Sequence, residues 1–399
     1  MGPEASGAET APQRPAPTTD TAEILARVAR VVPAIKEASQ QIEQDRRLPP
    51  ELREKLYQEK LFRLLLPKDF GGEEIDPLTF FQVISAIAEA DASTAWCLCQ
   101  ANGCSASAAY VEPHVAEAIW GSDPKAVVAW GPGKAEAVRK DDGYVVTGRW
   151  QFASGSRHST WLGARMPITL PNGEEAFRVL FFPSGEAEME DIWNVLGLRG
   201  TASDGYSIKD VFIQQDYMAT RDVEAEERRY NAPLYLIHAN IHYATGFSGV
   251  ALGIARAMLE DFKELASKKT PSRLTQRLCE NPVIQLAVAK AEARIRSARA
   301  LMLSEWREIW DEVVSTHTFS EDARMRLRFS ATYCIHEAKE VVDALYDASG
   351  ATTIFSSNQM QKYFRDIHTL TQQGQGRSMY MQVAGAHLMG LKADMPEPS

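Results

Sequence analysis

The chain has 399 residues, of which 45% are hydrophobic and 24% charged, with a formal net charge of −10. These proportions exclude a wholly disordered or collagen-like chain and suit two to four domains or one large layered subunit. The acidic balance, 43 Lys and Arg against 53 Asp and Glu, argues against nucleic acid or an anionic membrane as partner, since both require a basic footprint, and leaves only a local basic patch open.

Residues 1–20 are rich in Ala, Pro, Thr and Gly, lack an apolar core segment and read as a flexible tail without a signal peptide. From 21 to 122 the periodicity is helical. Ile24, Val28, Val31 and Ile35 form one apolar stripe. Pro49-Pro50 opens a second helix carrying Leu52, Leu56 and Leu61, and Gly71-Gly72 breaks the chain. A third helix from Pro77 carries Phe80, Phe81, Val83, Ile84 and Ile87. The uncharged run Ala92–Val111 is long enough to span a bilayer. Ser93, Thr94, Gln100, Asn102, Ser105 and Ser107 make it too polar, so a helix buried in a large protein is predicted. The five cysteines, Cys97, Cys99, Cys104, Cys279 and Cys334, are few and odd in number, which fits a reducing cytoplasm. The three near Cys97 match no zinc spacing and are expected to be buried thiols, with no metal.

Residues 123–220 change to short β-rich runs. Asp142-Gly143 sits between Ala135–Lys140 and Tyr144–Trp150, and Asn172-Gly173 between Trp161–Leu170 and Phe177–Phe182. Both dipeptides favour tight hairpins. Tyr206–Ile213 is a further strand, so a small antiparallel β-domain is predicted. Residues 221–399 return to long helices, with Gln285–Asp311 and Met325–Leu345 as candidates for a bundle and for oligomer contacts.

Several motifs are excluded by context. Gly131-Pro132-Gly133 runs into a strand, so it is no dinucleotide fingerprint. Ser154-Gly155-Ser156 lacks the flanking glycines of a nucleophile elbow. His238 and His242 share a helix face, but no carboxylate lies between Asn231 and Leu259 to complete a metal site, which leaves core or pocket lining. His368, in a polar stretch after Arg365-Asp366, is a candidate site residue. The segments Trp150–Ser156 and Leu196–Asp204 are polar and glycine-bearing in apolar surroundings. They present hydroxyls and backbone N–H groups to a flat polar ligand, with Trp150 and Phe152 as aromatic faces, or else they are β-turn chemistry.

Five segments in register resemble the acyl-CoA dehydrogenase superfamily and, within it, the flavin-dependent monooxygenase branch. They are Leu48-Pro49-Pro50 through Gly71-Gly72, Asp91–Trp96, Gly143–Gly155, Leu196–Thr201 and Gln361–Asp366. The run Ala92–Cys104 looks most like relatives of indole-3-acetate monooxygenase. The resemblance spans about Ile24 to Leu391 and implies an α+β fold: an N-terminal helical domain, a central antiparallel β-domain and a C-terminal four-helix bundle, assembled as a homotetramer.

It also implies the oxygenase component of a two-component system. A separate NAD(P)H:flavin reductase supplies reduced flavin, FMNH2 or FADH2. With O2 this gives a C4a-hydroperoxyflavin that hydroxylates a small aromatic or heteroaromatic molecule of indole or phenol type. On this reading Ser154 and His368 are catalytic. Trp150, Phe152, Ser154, Ser156, Arg199 and Arg365 bind flavin, and Trp96, Cys104 and Gln373 face the substrate.

The chain departs from the superfamily's dehydrogenases. Their glutamate base follows the Arg-Asp segment, where this chain reads Thr371-Gln372-Gln373-Gly374-Gln375-Gly376, and the earlier helix that sometimes carries it has no acid either. A dehydrogenase needs a base in reach of a carbon acid. It also departs from its own branch: Cys104 and Gln373 stand where related monooxygenases often carry histidines. His368 then substitutes as base, or the ring is electron-rich, as an indole is, and needs none. Two further readings are an acyl-CoA dehydrogenase with a relocated base and a flavin-free member of the fold.

Overall fold

The computed structural model describes residues 20–391 except 171, 221–227 and 273–274. The tail expected over residues 1–20 lies outside the described residues but for Asp20, whose carboxylate accepts from the Ala22 amide and caps the first helix.

Ten helices and eight strands are described, helical at both ends with the strands between. The N-terminal helices are α1 (Thr21–Asp45), α2 (Pro50–Gln58), α3 (Pro77–Ala88), α4 (Ala92–Ser105) and the short α5 (Pro113–Ala116). The stripe Ile24, Val28, Val31, Ile35 and Ile42 of α1 is buried against α3. Burial of each such side chain contributes about 1.5–3 kcal/mol. The uncharged α4 is buried on nearly every face, as its composition predicts.

The β-domain has two four-stranded sheets. One runs β1 (Val128–Ala129), β4 (Trp161–Thr169), β5 (Glu175–Pro183), β8 (Met218–Ala219). The other runs β2 (Gly133–Lys140), β3 (Gly143–Ala153), β7 (Asp204–Gln214), β6 (Glu188–Glu190). Both predicted hairpins form. The first turns one residue earlier than Asp142-Gly143 suggests: Lys140 pairs with Gly143, and Asp141 takes the left-handed conformation at φ 52°. In the second, Gly173 takes it at φ 88°.

The C-terminal bundle comprises α6 (Ala239–Lys268), α7 (Pro282–Thr316), α8 (Glu321–Ser349), α9 (Gln359–Leu370) and α10 (Met379–Leu388). α6 lies at its centre, packed on α3, α4, α7, α8 and α9. Gly103 of α4 makes one close approach possible, because a Cβ there would strike the Tyr243 ring of α6. No helix among the described residues is long and apolar enough to cross a membrane.

Candidate active site

The β3–β7 ladder slips in register between Trp150 and Ala153. Strand alternation would send residues 144, 146, 148, 150 and 152 to one face. Tyr144, Val146 and Trp150 do point into the sandwich. The bulge then turns Phe152 outward at φ 59°, a backbone region costly for a side chain with a Cβ. Phe152 is 59% exposed, its edge against Trp193 at 6.0 Å. Strained backbone that presents an aromatic ring to solvent is typical of functional sites.

Next to it, Ser154 Oγ accepts from Trp96 Nε1 at 2.9 Å and lies 2.7 Å from Ser203 Oγ. Ser203 Oγ lies 2.7 Å from Thr201 Oγ1, which donates to the Leu198 carbonyl at 2.9 Å. Leu198 and Ala202 are both left-handed, at φ 52° and 46°, and this turn brings Thr201 and Ser203 side by side. From Trp96 an aromatic wall continues along α6. Phe247 stacks on Trp96 at 3.9 Å, and Tyr243 lies 6.0 Å further on, nearly parallel.

A buried ionic cluster underlies this junction. Lys362 Nζ lies 2.7 Å from Asp366 and 3.2 Å from Asp91. Asp91 caps α4 through the Thr94 amide at 2.7 Å, and Asp366 accepts from the Leu198 amide at 2.6 Å. The cluster therefore fixes both the helix carrying Trp96 and the turn carrying Thr201. Two further carboxylates near the junction are paired with cations, although Glu43 keeps Oε2 buried without a hydrogen bond. Asp204 takes Arg157 and the Ile192 and Trp193 amides, and Glu43 takes Arg365.

The structure brings together Trp96, Phe152 and Ser154 from the sequence expectations and corrects several others. Trp150 faces no ligand. It is fully buried, stacked on Tyr206 at 5.4 Å, and its indole donates to the Arg165 carbonyl. His368 is not beside Ser154. Asp366 and Lys362 occupy the face of α9 toward the junction, whereas His368 points to α8, where Nε2 lies 2.8 Å from Asp343. Arg365 is a strap, holding Glu43 at 2.7 Å and the Leu196 carbonyl at 2.6 Å. Cys104 is fully buried behind the wall, 3.5 Å from the Tyr243 hydroxyl. Ser156 donates to the Ala202 carbonyl at 3.1 Å and supports the turn. Arg199 lies 3.8 Å from Glu43, its Nε buried without a hydrogen bond. Gln373 caps the turn at Gly374–Gly376 by accepting from the Gln375 amide, with its Nε2 buried and unpartnered. That turn is anchored to α8 through Arg328, Thr332 and His336.

Sequence reasoning named Thr201 and Ser203 only within the hydroxyl-bearing segment Leu196–Asp204 and Lys362 only within Gln361–Asp366, and gave Phe247 no role. His158 and His242 are neutral at pH 7, burial lowering them to about 3 and about 4. His242 borders a cavity with space for about one water, shared with Gly103, Tyr110 and Tyr235. A larger open groove of about 520 Å³ between Trp161, Phe181 and Phe212 shares no residue with the junction.

The junction fits a flat, reducible heteroaromatic ring. It offers an exposed aromatic face at Phe152 and a polar atom at Ser154, and Gly131 lets its loop pack directly on the Gln151–Phe152 backbone that carries them.

The acyl-CoA dehydrogenase N-terminal domain family matches residues 18–112 and the acyl-CoA dehydrogenase C-terminal domain family residues 245–374. An indole-3-acetate monooxygenase from Pseudomonas putida is 31% identical over 336 residues, covering 83% of this chain and 84% of the relative. The oxygenase subunit HsaA of a flavin-dependent monooxygenase from Mycobacterium tuberculosis is 27% identical, covering 88% and 90%. The crystal structure of the HsaA monooxygenase from M. tuberculosis superposes with a TM-score of 0.86 at 25% identity, covering 94% of this chain and 99% of that one. With this fold, this junction and these relatives, the chain belongs to the acyl-CoA dehydrogenase family and, within it, to the flavin-dependent monooxygenases.

Proposed function

We propose that the protein is the oxygenase component of a two-component monooxygenase. It takes reduced FMN or FAD from a separate NAD(P)H:flavin reductase and hydroxylates a small aromatic or heteroaromatic ring with O2. The single observation that supports this reading over thioester oxidation is the state of the carboxylates. Asp91, Asp366, Asp204 and Glu43, the acids described beside Trp96, Ser154 and Thr201, are each paired with a cation, and a carboxylate so paired is a poor base toward a carbon acid.

Phe152 and Ser154 would hold the flavin ring, the first by its exposed face and the second by its hydroxyl oxygen at the N5 edge. Trp96, Phe247 and Tyr243 form a dry wall that keeps water from the reacting atoms. When bound, reduced flavin supplies the two electrons that activate O2, and the protein supplies orientation and exclusion of solvent. One oxygen atom goes to the ring and the other leaves as water. The orientation of His368 toward Asp343 leaves the junction without the expected base. This favours an electron-rich ring that needs no deprotonation, an indole rather than a phenol, in keeping with the P. putida relative.

We also infer a homotetramer in a reducing cytoplasm. Apolar side chains exposed in the C-terminal region, Val283, Leu286, Ile354, Phe355 and Leu388, and five thiols outside any disulfide support these two readings. Light scattering on the purified protein reads the assembly state.

The function is tested by supplying reduced flavin and 18O2 with a panel of indoles and phenols. The expected product carries one labelled oxygen on the ring. Bleaching of bound oxidised flavin by an acyl-CoA without air, with no labelled product, overturns the assignment.

A further inference from the structure

The hydroxyl chain beside Ser154 has a direction, and that direction follows from counting protons. Three close oxygen–oxygen contacts run in series: Ser154 to Ser203 at 2.7 Å, Ser203 to Thr201 at 2.7 Å, and Thr201 to the Leu198 carbonyl at 2.9 Å. Two oxygens at such a separation need a hydrogen between them. Three hydroxyls supply three protons, one per contact. The Leu198 carbonyl has none to give, so Thr201 donates there. Ser203 must then donate to Thr201, and Ser154 to Ser203.

At the other end the Trp96 indole is a donor only, and its N–H takes one lone pair of Ser154 Oγ. Ser154 keeps one free lone pair and no free proton. Both ends are pinned by groups that cannot reverse. The Leu198 carbonyl also takes the Trp193 indole, and its amide is held by Asp366. The left-handed residues at 198 and 202 hold Thr201 and Ser203 in line.

We infer that Thr201 and Ser203 are positioning residues that make Ser154 an obligate hydrogen-bond acceptor, so that this site selects reduced over oxidised flavin. N5 is the ring position whose hydrogen-bonding sense changes with oxidation state: it is an acceptor in oxidised flavin and an N–H donor in reduced flavin. An acceptor-only Ser154 bonds the second and repels the first. The inference rests on the placement of flavin N5 at Ser154 proposed above.

The discriminating experiment compares dissociation constants for oxidised and anaerobically reduced FMN and FAD in the full-length protein. It uses the wild type and the variants Ser203→Ala, Thr201→Val, Ser203→Thr and Thr201→Ser. In Ser203→Ala the Ser154 proton loses its partner and turns toward the ligand. In Thr201→Val the Ser203 proton turns onto Ser154, with the same outcome. Both variants are expected to bind oxidised flavin more tightly than wild type, by roughly tenfold; reduced-flavin affinity stays little changed in Ser203→Ala and falls in Thr201→Val, where Ser203 takes the last lone pair of Ser154. The hydroxyl-keeping variants Ser203→Thr and Thr201→Ser retain the wild-type ratio. A gain in affinity is not something misfolding produces.

If the ratio of the two constants is the same in Ser203→Ala, Thr201→Val and wild type, the hydroxyl chain does not set the preference and the inference fails. If wild type binds neither flavin form, the functional reading fails first. The two failures are therefore distinguishable.

Discussion

Two buried polar networks meet at Leu198, and they hold the chain in different ways. On the amide side, Asp366, Lys362 and Asp91 are full charges, fixed by residue identity. On the carbonyl side, Thr201, Ser203 and Ser154 are neutral hydroxyls whose protons rotate freely in isolation. The charged network positions, because each pairing is worth several kcal/mol when broken in the interior. The hydroxyl network discriminates, because each bond contributes only about 1 kcal/mol and its polarity depends on its neighbours. Placing the strong network behind the weak one keeps the site in register while leaving Ser154 sensitive to what approaches it.

This contrast is broken most forcefully at Lys362. Lys362→Met leaves Asp91 and Asp366 buried without their cation, and the unfolding free energy should fall by about 3–5 kcal/mol at pH 7.5. Urea titration at pH 7.5 and at pH 5 reads it, with part of the loss recovered at pH 5. A loss below about 1 kcal/mol would remove the cluster from its positioning role.

The next effect is of pH. His158 and His242 are held at about 3 and about 4 in the fold, against about 6.5 when unfolded. Below about 6.5 the unfolded chain therefore binds more protons than the folded one. The stabilisation from burying these neutral rings is present above that pH and is lost as pH falls through the folded values. The loss is on the order of 5 kcal/mol for His158 and about 3 kcal/mol for His242. His242→Gln should flatten the decline between pH 6.5 and 4, and an unchanged slope would refute the burial argument for that ring.

Smaller effects probe the junction itself. Phe152→Ala removes an exposed ring from a strained position. Reduced-flavin affinity should weaken roughly tenfold, while the melting temperature stays within a few degrees of wild type. Equal losses in both would return Phe152 to a structural role. Trp96→Phe keeps an aromatic ring beside Phe247 but deletes the N–H bond to Ser154 and leaves a small cavity. At least about 1 kcal/mol of stability should be lost, read by calorimetry, and a neutral result would mean that the indole donor does not hold Ser154.

Much of the frame was legible because it is local. The stripe Ile24–Ile42 and the polar, uncharged α4 are written in residue spacing, as is the hairpin at Lys140–Gly143 to within one residue. Ser154, Phe152 and Trp96 were legible as candidates because motif and chain order carry them. The errors share one cause. Trp150 and Phe152 stand two apart and should share a face, but a bulge places one inside and the other outside. His368 follows Arg365-Asp366 in sequence, yet two residues along a helix is about 200°, which aims it away from the Asp366 side.

The sequence by itself determined the helix–strand–helix order and the lack of an acid in residues 231–259 and 371–376, because periodicity and composition need no knowledge of distant segments. Only the tertiary structure decided which aromatic is exposed, what His368 faces and how the hydroxyls beside Ser154 line up. Each of those depends on a partner brought from far along the chain: β7 at the bulge, Asp343 on α8, and the Leu198–Ser203 turn, which meets α9 at the Leu198 amide and α1 at Gly200.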